Sequence, residues 1–531
     1  MVFLCLYQDL EVRSTTDPAL LQLRLLETAR LSRGCHLSDW PGMLFANTSL
    51  LGNAWQRMFS VVDLFAGPGG LNEGFAQVRD NGGDPQFQIR ASFEMESNAV
   101  GTLRLRSALR ELKDGDQLPD SYVSFVTGAE SWAQFRTRTE VRDALAAAEQ
   151  HVHQVELGPD EQARTEALIR KAIGAETDWV LIGGPPCQAY SLAGRSRRKH
   201  DETFSEDKKH FLFREYLHII EVFKPAIFVM ENVKGLLSSN HSGQNMFNRI
   251  RTDLSCEGQY QVRSLVVPDD DPKPADFVIR SENYGVPQRR HRVILLGIRN
   301  DIRPSSVPTL TRWERQNSVR DALGGMPPVN SELSRRKTGL GEWEEIRELG
   351  FRMAAETLAS AENMASPTSN SNSAEAHRLR EWLTTTQLPK PTLHDARAHM
   401  DSDLLRYAYL SNLAEFGVKP TVKELPDRLK PEHKNVDNES TPFVDRFKVQ
   451  SWDGPSGTVT SHISKDGHYY IHPDANQMRS LTVREAARLQ TFPDDYFFMG
   501  GRTAQYHQVG NAVPPLLAHQ IGGVVAEILN R

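Results

Sequence analysis

FSVVDLFAGPGGLNEGFAQV, residues 59–78, opens as an apolar, β-branched run, turns on glycine and resumes with helical spacing. The order is strand, glycine turn, helix. Glycines there let backbone come close to a ligand, and the start of the helix presents free N–H groups. Many tight turns look alike, so the turn alone is weak evidence. The next strand, Phe87 to Phe93, runs into Glu94-Met95-Glu96. An acid at that place can accept from ribose hydroxyls, as in dinucleotide-binding folds, although the blander reading is a solvated helix cap. Further buried strands are predicted at Trp179-Val180-Leu181-Ile182, at Ala226-Ile227-Phe228-Val229-Met230 and over Arg292 to Ile298, with helical spacing from Phe211 to Phe223. Repeated alternation of this kind predicts an α/β protein with a doubly wound, mostly parallel sheet.

Around that frame the composition is ordinary for a globular protein. Of 531 residues, 39% are hydrophobic and 24% charged, and the length suggests roughly two to four domains. Four cysteines (Cys5, Cys35, Cys187 and Cys256) show neither metal spacing nor a disulfide framework, so a reducing compartment and no metal are expected. No apolar run looks long enough to span a bilayer. Val2 to Tyr7 is apolar, but no basic stretch precedes it and Asp9 and Glu11 follow, so a signal peptide is rejected. The expectation is a cytoplasmic protein without a membrane partner. A net charge of −6 argues mildly against nucleic acid, but phosphate contacts need a local basic stripe rather than a basic protein. Two dense stretches qualify, Arg195-Ser196-Arg197-Arg198-Lys199-His200 and Arg289-Arg290-His291-Arg292. Either one alone reads as a solvated face.

The chemistry concentrates in Gly183-Gly184-Pro185-Pro186-Cys187-Gln188-Ala189-Tyr190-Ser191. Cys187 follows the carboxyl end of a buried strand, where open α/β sheets keep their ligands. A lone cysteine is usually buried and inert; here two prolines stiffen the loop that presents it. Ala226 to Met230 delivers Glu231-Asn232-Val233, and a carboxylate ending an apolar strand is costly unless paired or functional. Toward the carboxyl end, Thr482 with Glu485 reads as a capping box opening an amphipathic helix. Gln508-Val509-Gly510-Asn511-Ala512-Val513-Pro514-Pro515 follows, then a closing helix from Leu516 to Leu529.

Taken together, DLFAGPGG at 63–70, GGPPCQAYS at 183–191, ENV at 231–233, QRRHRV at 288–293, LTVREAARLQTFPD at 481–494 and QVGNAVPP at 508–515 resemble the cytosine-C5 DNA methyltransferases. Six motifs in the family's order, bracketing 59–531 apart from two variable stretches, are specific. The resemblance implies a Rossmann-like methyltransferase domain, S-adenosylmethionine as methyl donor, and transfer to C5 of cytosine in double-stranded DNA. On that reading Phe65, Gly67, Gly69 and Gly70 border the cofactor, Glu94 takes its ribose and Met95 lies near its adenine. Asn511 and Val513 close the same pocket, and Pro186 lines both the base and the cofactor. Cys187 is the nucleophile, adding to cytosine C6. Glu231 holds or protonates N3. Arg290 and Arg292 support the base oxygen, the acid or a nearby phosphate, with Arg292 favoured for the base. The basic loop 195–200 closes over DNA and helps hold a flipped base.

Residues 1–57 are expected to be an extension, disordered or preceding a true start at Met58. The catalytic domain spans 58–300 with a helical insertion at 109–178. A smaller, irregular target recognition domain covers 301–450, with a flexible segment near 360–376. Residues 451–531 return to the catalytic domain. The family's adenine-contacting turn after the third strand has its nearest candidate at Thr127-Gly128-Ala129-Glu130, which is not assigned. A prokaryotic modification enzyme, monomeric on DNA, with a cognate restriction endonuclease acting separately or absent, fits this reading. The alternatives are a tRNA cytosine methyltransferase of the same fold and a catalytically inactive DNA-binding relative.

Overall fold

The computed structural model describes residues 58–531 apart from 114, 116, 187–208, 239, 242–243, 305, 335–338, 361–372, 387, 433–445 and 531. The expectations for 1–57, for Cys187 and for the basic loop 195–200 lie outside the described residues.

Phe59–Leu64 (β1) is buried along its whole length, and Gly70–Ala76 (α1) follows the glycine turn. Next come Phe87–Glu94 (β2), Ser97–Leu112 (α2), Asp120–Val126 (α3), Thr139–Glu149 (α4), Val152–Gln154 (β3) and Gln162–Ile173 (α5). The sheet is then completed by Val180–Gly183 (β4), Ile227–Val233 (β5) after helix Lys209–Phe223 (α6), and by Tyr260–Arg263 (β6), Val278–Arg280 (β7) and His291–Arg299 (β8). Strand order is β3-β2-β1-β4-β5-β8-β6, with β7 also on β8. Neighbours from β3 to β5 run parallel, whereas β8 is antiparallel to β5, β6 and β7. The chain winds outward from β1 to β3 and resumes at β4 on the other side. The direction of winding therefore reverses between β1 and β4, where such sheets hold ligands beyond the strands' carboxyl ends.

Both faces of the sheet are covered, which is why its strands read as continuous apolar runs rather than alternating ones. Val61 faces Phe75 of α1 and the final helix. Val62 faces Ile169 of α5 and Tyr216 of α6.

Residues 109–178 are not wholly an insertion. β3 pairs with the end of β2, Glu94 opposite Gln154, and α5 is an ordinary crossover helix packed under the sheet. A three-residue edge strand is too short to show a period of two, so its sequence gave no signal.

The stretch expected to be irregular contains long helices, Trp343–Ala359 (α7) and Asp401–Glu415 (α8). They share a core through Ile346, Ala354, Leu404, Leu405 and Leu413. α8 is buried on most sides, so it lacks the polar face by which a surface helix is recognised. Its buried Asp403 and Arg406 pair with each other at 2.7 Å. Near 360–376, helix Ala374–Leu383 already begins within the expected flexible segment, capped by Ser373.

Val483–Leu489 (α9), Arg502–Asn511 (α10) and Pro515–Leu529 (α11) end the chain. α11 lies against α1 and joins the core on the β1 face. Among the described residues, 502–529 is long and apolar enough to cross a membrane by length and composition, contrary to the sequence expectation. The 18-residue apolar window within it is 72% buried inside the protein, as befits core helices.

Candidate active site

The turn after β1 is held in an uncommon shape. Phe65 has φ 56, a left-handed conformation disfavoured for a bulky residue and typical of sites that trade strain for position. The Gly67 N–H donates to Glu94 Oε2 at 2.8 Å, and the N–H groups of Met95 and Glu96 donate to Oε1 at 2.9 and 2.8 Å. Three donors leave the carboxylate with about one of its roughly four acceptor positions, which suffices for one ribose hydroxyl. Beside it, Met95 is 58% exposed, an open apolar surface next to that acid. At Gly70 an added Cβ would lie 2.0 Å from the Val513 carbonyl oxygen, so the two expected cofactor segments touch backbone to backbone.

Asp63 was not anticipated. It is 1% exposed, and neither carboxyl oxygen has a hydrogen-bond partner among the described residues. Burial, with the nearby Glu94 charge adding and the Asn72 side chain beside it only partly offsetting, pushes its pKa well above the usual carboxylate range. A buried acid so weakly compensated, lining the cavity beside the glycine turn, fits a cationic ligand, which would stabilise its charged form. S-adenosylmethionine carries such cations in its sulfonium and its ammonium, so the residues present fit that group.

The acid side is equally close. Asp63, Gly67, Gly184, Glu231, Asn511 and Val513 bound one cavity of about 50 Å³. That has room for a small group, not for a whole cofactor, and it joins the turn to the end of β5. Glu231 forms an ion pair with Arg292, Nε to Oε1 at 2.7 Å, each side chain about 15% exposed. Its other oxygen lies 2.9 Å from where a Cβ on Gly184 would stand, so only glycine lets the carboxyl sit there. Asn232 donates to the Pro185 carbonyl at 3.3 Å, tying the proline loop to β5. Pro186 is exposed at the end of the described stretch.

Arg290 departs from expectation. It is 2% exposed, and its Nη1 donates to the carbonyls of Val459 (2.9 Å) and Gly510 (3.1 Å). Burial, with Arg292 nearby, pulls its pKa well below the guanidinium norm. It ties the carboxyl-terminal segments together, with Glu231 and Arg292 near it. Sequence reading also missed two buried glutamines. Gln288 accepts from Val459 N at 2.7 Å and donates to the Leu489 carbonyl at 3.1 Å. Gln490 donates to the carbonyls of Val509 and Ala512, which fixes the backbone around Asn511. Thr127–Glu130 follows the end of α3; the third strand of the sheet ends at Gln154, whose Nε2 donates to the Met95 carbonyl at 3.2 Å.

A larger cavity of about 500 Å³ lies between 410–421, 447–458 and the loop before β8. Among the described residues that line it, Arg289, Lys419 and Lys448 carry the charge, a local basic cleft in a chain of net negative charge. Among the described residues no group of three or more His, Cys, Asp or Glu is placed to hold a metal ion.

The profile of the family described as C-5 cytosine-specific DNA methylase matches residues 161–527, more than half of the chain. Type II methyltransferase M.Bpa9945I of Bacillus paralicheniformis is 35% identical over 491 residues, covering 88% of this chain and 99% of its own. Type II methyltransferase M1.HphI of Haemophilus parahaemolyticus is 29% identical, covering 66% of this chain and 68% of its own. Among solved structures, one described as a DNA modification methyltransferase encoded within an E. coli prophage superposes with a TM-score of 0.52 at 18% identity. It covers 89% of this chain and 100% of its own, a likeness of fold.

Proposed function

The chain belongs to the C-5 cytosine-specific DNA methylases and is a DNA (cytosine-5-)-methyltransferase; we propose that it methylates C5 of a flipped-out cytosine in a defined duplex sequence, through a covalent bond from Cys187 to C6. The observation that carries the reading is the single cavity bounded by Asp63 and Gly67 on one side and by Glu231 on the other. Donor site and base-holding acid are thereby set wall to wall. S-adenosylmethionine, when bound, supplies an electrophilic methyl on a sulfonium.

The chain's own residues do the rest. Cytosine C5 is too weak a nucleophile to take a methyl directly, and addition of the Cys187 thiolate at C6 makes it enamine-like. Glu231 holds or protonates N3 as the sulfur adds. Arg292 keeps that carboxyl aimed and is close enough to it to meet the base oxygen. Loss of the C5 proton and departure of Cys187 then release the product. Phe65, Gly67, Gly69 and Gly70 border the cofactor, Glu94 takes its ribose, Met95 lies near its adenine, Asn511 and Val513 close that pocket, and Pro186 lines both base and cofactor. The base must leave the stack, at a cost of a few kcal/mol, which the loop 195–200 helps to offset. Residues 301–450 act as the target recognition domain, a reading supported by the basic cleft beside α8. The relatives' names, type II methyltransferases of bacteria, support a prokaryotic modification enzyme; we propose in addition that it is cytoplasmic and monomeric on DNA, with a restriction endonuclease acting separately or absent.

Labelled S-adenosylmethionine offered with duplex DNA and with tRNA tests the substrate: transfer to duplex is expected, and labelling of tRNA alone overturns it. Duplex carrying 5-fluorocytosine should trap the protein covalently, and an active enzyme that forms no adduct lacks the covalent route.

A further inference from the structure

Behind the glycine turn lies a buried ionic cluster without a task in the reaction described above. Glu73, on α1 and 1% exposed, accepts from Arg106 of α2 at 2.9 and 2.5 Å and from Arg110 at 2.7 Å. Arg106 also faces Asp495 at 3.1 Å, and Lys113 reaches the second Asp495 oxygen at 2.8 Å. The Tyr122 hydroxyl of α3 donates to the Asp495 carbonyl at 2.6 Å. The neighbouring residue, Tyr496, is 1% exposed with its ring 5.0 Å from the Arg106 guanidinium. Its hydroxyl donates to the carbonyl of Pro68, the middle residue of Gly67-Pro68-Gly69.

That contact fixes the turn from the rear. A peptide unit is planar, so holding the Pro68 carbonyl and the Gly69 N–H, which donates to Ala66 at 2.9 Å, sets the whole plane between them. Gly69 itself has φ 92, and a Cβ there would stand 3.0 Å from the Tyr496 hydroxyl and 2.7 Å from Leu103. On the opposite side Glu94 takes the Gly67 N–H. Burying so many charges is costly unless they are paired, and apolar packing often serves stability as well. A paired cluster aimed at one carbonyl therefore points to placement rather than to stability.

We propose that Tyr496 is a positioning residue for the cofactor turn, held by the Glu73–Arg106–Asp495 cluster and braced by Lys113 and Tyr122 from the start of the 109–178 stretch. This gives part of that stretch a task at the site. The proposal rests on reading the turn as the S-adenosylmethionine site.

Calorimetric titration of the full chain with S-adenosylmethionine in the absence of DNA, with DNA affinity and steady-state kinetics on the same preparations, tests it. Tyr496→Phe keeps the ring and its Arg106 contact and removes only the hydroxyl. It should weaken cofactor binding and raise the cofactor KM about tenfold, with kcat at saturating cofactor and DNA affinity within about twofold. Lys113→Met should move cofactor affinity the same way by less, and Lys113→Arg should restore it. Cofactor binding by Tyr496→Phe as tight as wild type overturns the proposal, as does an equal loss of DNA affinity and kcat, which would mark a merely structural contact. Wild-type protein that fails to bind S-adenosylmethionine removes the reading of the site and this proposal together, so the two failures are distinguishable.

Discussion

At the scale of single residues, the site depends on atoms that leave no room for substitution. Gly70 meets the Val513 carbonyl so closely that a methyl group would have to displace backbone on both sides. Gly70→Ala should therefore separate the two segments of the pocket, weakening cofactor binding at least about tenfold and lowering stability by about 1–3 kcal/mol; calorimetry and urea unfolding would measure both. Glu231→Gln preserves shape but removes the acid, and should slow single-turnover transfer by about 10²–10⁴; unchanged rates would take Glu231 out of that role. Cys187→Ala should abolish methylation while leaving DNA binding largely in place, and equal loss of both would make the residue structural. The acid was legible in the sequence because a carboxylate closing an apolar strand has few bland explanations. The two arginines were harder to separate. Positions 290 and 292 share a face only within a strand, but β8 starts at His291, and Arg290 falls in the preceding turn, with its N–H on the Gln288 carbonyl at 3.0 Å. Asp63 was invisible because its character comes from how deeply the fold buries it beside Glu94, which sequence does not show.

At the scale of elements, the junction between α8 and the segment 468–485 is built on buried histidines. His399 donates to or accepts from Ser480 Oγ at 3.2 Å, with Arg397, His468 and Arg479 nearby. His472 lies 3.4 Å from Glu485, among Arg479, Asp474 and His394. Burial pulls their pKa values down to about 3 and about 4. Unfolded histidine titrates near about 6.5, so below that pH the unfolded chain takes up protons that the folded chain refuses. Stability should fall as pH drops from about 6.5 toward 4, by up to about 1.4 kcal/mol per pH unit for each histidine. Glu485 acts lower. Burial alone would raise its pKa, but Arg479 with His472 holds it at about 2, so its contribution is present above 4.5 and is lost as pH falls from there toward 2. Urea midpoints at pH 7 and pH 5 should differ for wild type and differ less for His399→Gln; equal wild-type midpoints would contradict the assignment. These histidines also explain what sequence could not show. α8 looked irregular because its polar residues face inward to such partners, so apolar spacing, the main signal for a helix, was absent.

At the scale of the molecule, the chain leaves the sheet after β8, builds a helical unit around α7 and α8, and returns through α9 and α10 to lay α11 against α1. The parallel strands β1, β2, β4 and β5 were readable because the faces of the sheet are covered, whereas β3 was too short; the link between distant segments was not readable, since it runs through Gln288, Arg290 and Gln490 bonding to backbone carbonyls, and such bonds ask little of the partner's side chain. The same return path forms the basic cleft, the place the proposed reading gives to DNA in a chain of net charge −6. Arg289, Lys419 and Lys448 are all exposed at its rim, and Thr458 Oγ1 donates to the Arg289 carbonyl at 2.6 Å, fixing the backbone that carries one of them. Phosphate contacts made there release counterions and carry no base information. Lys419→Gln and Lys448→Gln should therefore each reduce the slope of log affinity against log salt by about one. Both should weaken target and non-target duplexes alike and leave kcat at saturating DNA close to wild type. Fluorescence anisotropy at several salt concentrations measures the slope, and a slope unchanged in both variants would place the phosphate backbone elsewhere on the protein.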